Sequence, residues 1–244
     1  MSAGTLPRLL PLGDAAWTVE FGDAIAPAVH ARVMALAAAV EAMGEAAVSD
    51  LVPTFRSLTV HFDPVRVDGT DLGRRLLAAA AAADGNTVTG GLWRLPACFG
   101  GEHGPDLAAV AAEAGITEGD AVEMLAAAEL RVYMIGFMPG FPYMGGLPDL
   151  LHRPRLATPR LKVPARSVAV AGAMAAVYPW ESPGGWRLLG RTPVRLFDAG
   201  RGDRPALLAP GDRVRFQPVG ESEYRRLEAE ADAGQADPAQ WRIA

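Results

Sequence analysis

The chain has 244 residues and a mass of 25.6 kDa, with 50% apolar and 21% charged residues, room for one large domain or two small ones and a composition unlike that of a disordered chain or a coiled coil. The longest apolar stretch, Val168 to Tyr178, is far short of the roughly 18 residues that span a bilayer. No basic segment followed by an apolar core opens the chain, and the single cysteine, Cys98, excludes a disulfide framework and a multi-cysteine zinc site, so the expected compartment is the cytoplasm.

The net charge of −5 argues against bulk nucleic-acid binding, but it is unevenly spread. Residues 1–130 carry 7 Arg against 17 acids, and residues 196–244 carry 7 Arg against 9 acids. Residues 131–195 instead carry 8 Arg and Lys162 against only Asp149 and Glu181. Either this central third holds a local anion site, or its arginines pair with acids from the flanking segments.

In chain order, Ala15 to Phe21 alternates like a half-buried strand. Pro27 opens a helix whose apolar face is Val29, Val33, Leu36, Val40 and Met43, stopped by Gly44. Ala47–Val52 and Ser57–Phe62 read as strands, Asp71–Ala83 as a helix closed by Asp84-Gly85-Asn86, and Leu92–Pro96 as a last short strand. This strand–helix–strand–strand–helix–strand order is the ferredoxin-like split βαβ pattern, with a boundary at Thr89-Gly90-Gly91. A helical insertion near 105–128 follows. Asp106 is expected to cap its first helix, and Thr117 with Asp120 forms a capping box for the second.

Further on, Arg131–Gly136, Arg166–Ala171, Trp186–Gly190, Pro193–Phe197, Ala206–Leu208 and Arg213–Phe216 are strand candidates divided by Pro/Gly turns, a barrel or sandwich pattern. Residues 131–195 hold 9 of the 20 prolines and 8 of the 27 glycines, a density that excludes regular helix and central strand. Aromatic anchors in the same stretch point to rigid binding loops. Gly140, Gly145, Gly184 and Gly185 are expected at turns needing positive φ. The expected organisation is 1–90 as an α/β domain, 91–220 as a β domain with its insertion, and 221–244 as a solvated helix and a fraying tail.

Phosphate-binding glycine loops, zinc-protease motifs and nucleophile elbows are missing. His30, His61, His103 and His152 have no metal-ligand spacing, so no metal is expected, and Cys98 reads as a small buried apolar group.

The most distinctive segment runs from Gly136-Phe137-Met138-Pro139-Gly140-Phe141-Pro142-Tyr143-Met144-Gly145-Gly146-Leu147-Pro148 through Pro154-Arg155 and Pro159-Arg160 to Val163-Pro164-Ala165-Arg166-Ser167. Tyr178-Pro179, Ser182-Pro183-Gly184-Gly185-Trp186 and Gly190-Arg191-Thr192-Pro193 complete it. This ordered set resembles the 5-oxoprolinase B-subunit family, also called KipI, or allophanate hydrolase subunit 1, or carboxyltransferase subdomains C and D. The resemblance implies an α+β chain, with an N-terminal ferredoxin-like α/β domain and a C-terminal cyclophilin-like β-barrel. It implies partners, the C subunit (KipA-like, allophanate hydrolase subunit 2) and the A subunit of 5-oxoprolinase, with ATP-dependent cleavage of 5-oxoproline to glutamate by the complex. Other relatives inhibit a sensor histidine kinase or belong to a biotin-dependent urea carboxylase. No biotin-attachment motif is present here, the only lysine being Lys162. The family usually has glycine where this chain has Arg166 and Ala169, and Gln-Thr-Gly where it has Met174-Ala175-Ala176, which puts the substrate in doubt.

Opening a lactam with ATP requires positive charge around the transferring phosphoryl and the substrate carboxylate. Arg155, Arg160, Lys162, Arg166 and Arg191 are the available cations, with arginine suited to carboxylate and phosphate by its two-pronged donor geometry. Tyr143, Tyr178 and Ser182 are candidate hydrogen-bond donors and Trp186 a candidate wall. ATP is expected at a site shared with, or carried by, the partner proteins.

Overall fold

The computed structural model describes residues 6–85 and 90–244. Thr89 and Asn86, which the sequence marks as a boundary and a helix end, lie outside those residues. The chain divides into two units, 1–89 and 90–244.

In the first unit, strands β1 (Arg8–Pro11) and β2 (Ala16–Glu20) precede helix α1 (Pro27–Ala42), strands β3 (Val48–Pro53) and β4 (Ser57–Phe62), and helix α2 (Gly69–Ala82). β4 alternates as a one-sided strand should: Leu58, Val60 and Phe62 are buried, with Ser57, Thr59 and His61 less so. Those buried residues meet Val33, Leu36 and Val40 of α1 and Leu72 and Leu76 of α2 in one core. α1 has proline in its first turn, where a missing N–H costs nothing. Met43, assigned to its apolar face, falls just past the helix end and is exposed. α2 starts two residues early because the Asp68 carboxylate accepts from the N–H groups of Thr70 (2.8 Å) and Asp71 (3.4 Å).

The sheet order is β1-β2-β4-β3, all antiparallel. This is ferredoxin-like in its inner strands, but its fourth strand is β1, from before the first helix. Leu92–Pro96, expected in that place, belongs to the second unit. The substitution was hidden because Arg8–Pro11 carries no apolar alternation and three of its four residues are exposed.

In the second unit, β5 (Leu92–Phe99) is followed by α3 (Leu107–Ala114), α4 (Glu118–Ala127), β6 (Leu130–Ile135), β7 (Pro142–Gly145), β8 (Arg160–Val163), β9 (Ser167–Ala171), β10 (Met174–Val177), β11 (Ser182–Gly184), β12 (Arg187–Arg191), β13 (Arg213–Pro218) and α5 (Glu221–Asp232). Seven strands close a barrel in the order β10-β7-β6-β13-β5-β12-β9, and β8 with β11 forms a separate ribbon. The fold is therefore the α+β arrangement expected, with a closed barrel. Pro193–Phe197 and Ala206–Leu208 are not strands; a single bridge joins Phe197 to Ala206, and Pro193 and Pro205 lack the N–H groups a ladder needs.

β9 falls where Arg166–Ala171 was expected as a strand, and β10 was not expected; both are regular barrel strands inside the Pro/Gly-rich third, whose density was expected to exclude them, because residues 167–177 are free of proline. Both are buried on two faces. Val168, Val170, Ala175 and Val177 enter the main core with Leu95, Val132, Met144 and Leu189. Ala169, Ala171 and Ala176 face the other way, into a second cluster with Phe141, Tyr178, Trp186 and Leu188. That double burial explains the unbroken apolar run read as the longest in the sequence.

The insertion helices pack on the barrel through Val110, Ala111, Ala121 and Leu125, and the Thr117–Asp120 capping box is formed. Asp106 does not cap α3. Its carboxylate instead accepts from the Leu188 N–H (2.6 Å) and from Arg160 (2.7 Å), fastening the insertion to β12.

α5 is not a solvated helix. Tyr224, Leu227 and Ala231 are buried, and the tail does not fray: Ile243 N–H donates to the Leu92 carbonyl and Leu92 N–H to that of Ala244, each at 2.7 Å. The helix misread as solvated because its apolar positions, Tyr224, Leu227 and Ala231, are only three among many charges. No helix among the described residues is long and apolar enough to cross a membrane.

Candidate functional site: an aromatic cleft on the barrel wall

The second cluster lies on the face of β9 and β10 opposite the barrel core. Phe141 is its hub. Its ring meets Tyr178 at 5.1 Å and Trp186 at 6.0 Å, both edge to face, and Tyr143 at 4.9 Å. Edge-to-face packing of this kind fixes ring orientations as well as burying area. Above it opens a cleft of about 110 Å³, walled by Phe137, Tyr143, Tyr178 and Trp186 and by the Pro183-Gly184-Gly185 turn, with Arg155 at its edge. The Arg155 guanidinium carbon lies 5.9 Å from the Trp186 ring centroid, a cation–π distance.

Two backbone features shape the cleft. Gly184 sits so close to Tyr178 that a Cβ there would come within 2.3 Å of the phenolic oxygen. Phe137 adopts φ = 69°, a left-handed conformation unfavourable for a bulky residue, and its side chain is 67% exposed at the lip. Of the four glycines expected to serve positive-φ turns, only Gly140 does so (φ 78°). Gly145 and Gly184 are there for close approach, to Tyr133 and Tyr178 respectively.

The tyrosines are neutral donors. Burial pushes the Tyr143 hydroxyl above its ordinary pKa, and the nearby Arg155 charge only partly offsets this. Burial does the same to Tyr178, opposed by a backbone hydrogen bond from Trp186 and by Arg155. Ser182 Oγ, just before the turn that walls the cleft, is buried with no hydrogen-bond partner among the described residues, an arrangement that ordinarily costs about 1–3 kcal/mol. One guanidinium, neutral hydroxyls and flat aromatic walls suit a small, partly apolar molecule bearing a carboxylate.

The nine residues singled out in the sequence do not all meet here. Tyr143, Arg155, Tyr178 and Trp186 line the cleft, and Ser182 adjoins it. Arg160 donates to Asp106 (2.7 Å) and to the Trp186 carbonyl (3.3 Å). Lys162 forms an exposed pair with Glu181 (3.1 Å). Arg166 meets Glu228 (3.3 Å) and Asp232 (3.2 Å) of α5, and Arg191 donates to the Ala165 carbonyl (2.8 Å) with Glu228 3.8 Å away. Most of the basic third thus pairs with acids of the flanking segments, and Arg155 alone of the five candidate cations has no carboxylate or carbonyl partner among the described residues.

The departures at 169 and 174–176 also fall here. Ala176 is the register partner of both Ala169 and Tyr143, so the two methyl groups lie side by side in the cluster beneath the cleft, with Met174 packed against it. Ala175 points into the barrel.

A larger cavity of about 230 Å³ lies between α5, the tail and the 193–201 segment, lined by Val194, Arg201, Leu227 and Trp241 among others. It holds none of the nine residues. The sequence reading also missed a cluster of Cys98, His103 and Glu221; 123 residues separate its ends, and no local spacing could reveal it.

The model of the carboxyltransferase domain, subdomain C and D, matches residues 7–208. The chain belongs to that family. It is 35% identical over 235 residues to the 5-oxoprolinase B subunit of Bacillus subtilis (strain 168), covering 91% of this chain and 96% of the relative. Against the 5-oxoprolinase B subunit of Escherichia coli O157:H7 it is 39% identical over 211 residues, 86% of this chain and 95% of the relative. Among solved structures, TTHA0988 superposes with a TM-score of 0.74 at 34% identity over 84% of this chain; the chain spans 40% of that longer protein. The family match takes in most of the first unit and the second as far as residue 208, short of β13 and α5, and so the whole cleft, from Phe137 to Trp186.

Proposed function

We propose that this chain is the B subunit of a cytoplasmic, ATP-dependent 5-oxoprolinase, a hydrolase active only with its partner proteins, and that the aromatic cleft receives the substrate. The observation carrying this reading is Arg155, a cleft cation without an anionic partner among the described residues. On this reading it pairs with the substrate carboxylate while Trp186 stacks on the lactam ring, and Tyr143 donates a hydrogen bond. The lactam is inert because its amide is resonance-stabilised. Transfer of the γ-phosphoryl group of ATP to the amide oxygen releases ADP and makes the carbonyl carbon electrophilic; one water adds there and the protonated ring nitrogen departs, opening the ring to an acyl phosphate, and a second water releases phosphate to give glutamate. This chain holds and orients the substrate, with Arg160 steadying the cleft wall by donating to the Trp186 carbonyl (3.3 Å).

A cleft of about 110 Å³ is smaller than an ordinary self-sufficient ligand site, which supports a site completed by the C subunit, with ATP contacted there or on the A subunit. Phe137 (67% exposed), Leu161 (87%) and Trp180 (48%), on and around the cleft and the β8–β11 ribbon, are the apolar surface such a partner would cover.

The test is 5-oxoproline-dependent ATP hydrolysis, with glutamate as the measured product, by the chain co-purified with its candidate A and C subunits. Arg155→Ala lowers turnover by about 100-fold or more without loss of assembly. Unchanged turnover in that variant removes the substrate from the cleft. An assembled complex inactive on 5-oxoproline but active on a urea-type amide transfers the site to carboxyltransferase chemistry, with Ala169 and Ala176 beneath the cleft as the place to look. Binding to a sensor histidine kinase without any turnover indicates the inhibitory role.

A further inference from the structure

We infer that Cys98, His103 and Glu221 form a binding site for one divalent cation of the zinc class. Cys98 lies near the end of β5, His103 in the loop that follows, and Glu221 is the first residue of α5. Glu221 Oε2 is 2.8 Å from His103 Nε2 and 3.8 Å from Cys98 Sγ, and the three ligand atoms all lie within 4.8 Å of one another. Cys98 and His103 are each 8% exposed, whereas Glu221 reaches the surface and leaves an entry route.

The geometry favours an ion over a nucleophile. In a Cys–His–acid relay the acid binds one imidazole nitrogen and the thiol the other. Here the Glu221 carboxylate oxygen that meets His103 Nε2 also meets the Cys98 sulfur, and one donor atom from each residue lies within 4.8 Å of the other two, so sulfur, nitrogen and oxygen converge. Thiolate, imidazole and carboxylate are the donors zinc takes, and three protein ligands leave a fourth position for water. Calcium and magnesium call for oxygen donors throughout and do not suit this set.

The surroundings orient the ligands. The His103 ring rests against Tyr224 at 4.3 Å between centroids. Arg225 holds the other Glu221 oxygen at 2.5 Å and Glu102 at 3.0 Å, so Oε2 is the oxygen left facing the cluster. Such outer contacts set both orientation and affinity in metal sites. Glu102 stands 3.9 Å from His103 Nε2 and adds negative charge. Binding replaces the thiol proton, which goes to solvent, and leaves the imidazole proton on Nδ1, so affinity rises with pH.

The full chain, stripped with a chelator, is titrated with Co²⁺ and then Zn²⁺. The expected result is one equivalent of Co²⁺ per chain with a thiolate-to-metal charge-transfer absorption that Zn²⁺ abolishes. Cys98→Ser loses that absorption, and Glu221→Gln, which changes only a surface side chain, weakens binding about tenfold or more with the circular dichroism spectrum unchanged. Absence of stoichiometric binding by the wild-type chain overturns the site, as does binding that survives undiminished in Cys98→Ser and Glu221→Gln.

Discussion

The α5 face of the barrel and the aromatic cleft draw on the same basic third of the chain and use it in opposite ways. Against α5, Arg166, Arg191 and Arg195 meet Glu228 and Asp232, and the guanidiniums serve as fasteners. In the cleft, Arg155 lies by Trp186 with no carboxylate partner among the described residues. A charge held near apolar surface is tolerated when it is neutralised within the fold. One that is left open is available to a ligand. An excess of positive charge in a sequence segment therefore does not locate a binding site; the cation left over after the internal pairs are drawn does.

The sharpest way to break this contrast is to remove an internal partner. Asp106→Ala strips Arg160 of its carboxylate and orphans the Leu188 N–H, and it should destabilise the second unit by about 3–5 kcal/mol, read as a shift in denaturant midpoint. If stability survives intact, Arg160 is as free as Arg155 and the distinction fails. Next in size is Gly184→Ala, whose methyl group would drive into the Tyr178 hydroxyl. Overpacking of this kind should cost about 1–3 kcal/mol and narrow the cleft, so turnover of the assembled complex should fall along with stability.

Arg166 sharpens the comparison from the α5 side, because it sits at φ = 69°. Arg166→Gly and Arg166→Ala lose the same ion pairs, but only alanine retains the left-handed strain. The glycine variant should be the more stable by about 1–2 kcal/mol in thermal unfolding.

A smaller effect follows with pH. Burial alone raises the Asp232 pKa, but the Arg166 and Arg195 charges outweigh it and hold it below the usual carboxylate value. Its contribution is therefore present above about pH 4, the unfolded value, and is lost as pH falls through the lower folded one. Since Asp232 is half exposed, the acid limb should shallow by well under 1 kcal/mol in Arg166→Ala. Lys162→Ala, at the exposed pair with Glu181, should change stability by less than about 0.5 kcal/mol.

What the sequence revealed is what short-range physics controls. Pro27 at a helix start, the alternation of Ser57 to Phe62, and the Thr117–Asp120 box each act over a few residues, and each is found in the structure. The cleft residues Tyr143, Arg155, Tyr178 and Trp186 were legible through a family resemblance, not through spacing. What remained hidden depends on distant partners. Asp106 looked like a cap until β12 offered it a better N–H 82 residues away. Arg166 and Arg191 looked free until α5 returned to them. β1 displaced Leu92–Pro96 from the first sheet because the latter had a long parallel partner elsewhere.

That parallel partner has a kinetic consequence. β5 and β13 pair over six residues, from Leu92–Arg213 to Ala97–Pro218, and each matched pair is 121 residues apart in the chain. On a ribosome, the first unit has all its strands in hand once residue 82 has emerged, whereas the barrel stays open until β13 follows. Nascent β5 meets β12 only at Cys98 and Phe99, and the rest of it, from Leu92 to Ala97, must wait for β13. Loop closure over such a span is slow and leaves unpaired edges exposed to other chains. Refolding of the second unit should therefore be the slow step, and its waiting edges the place where aggregation begins.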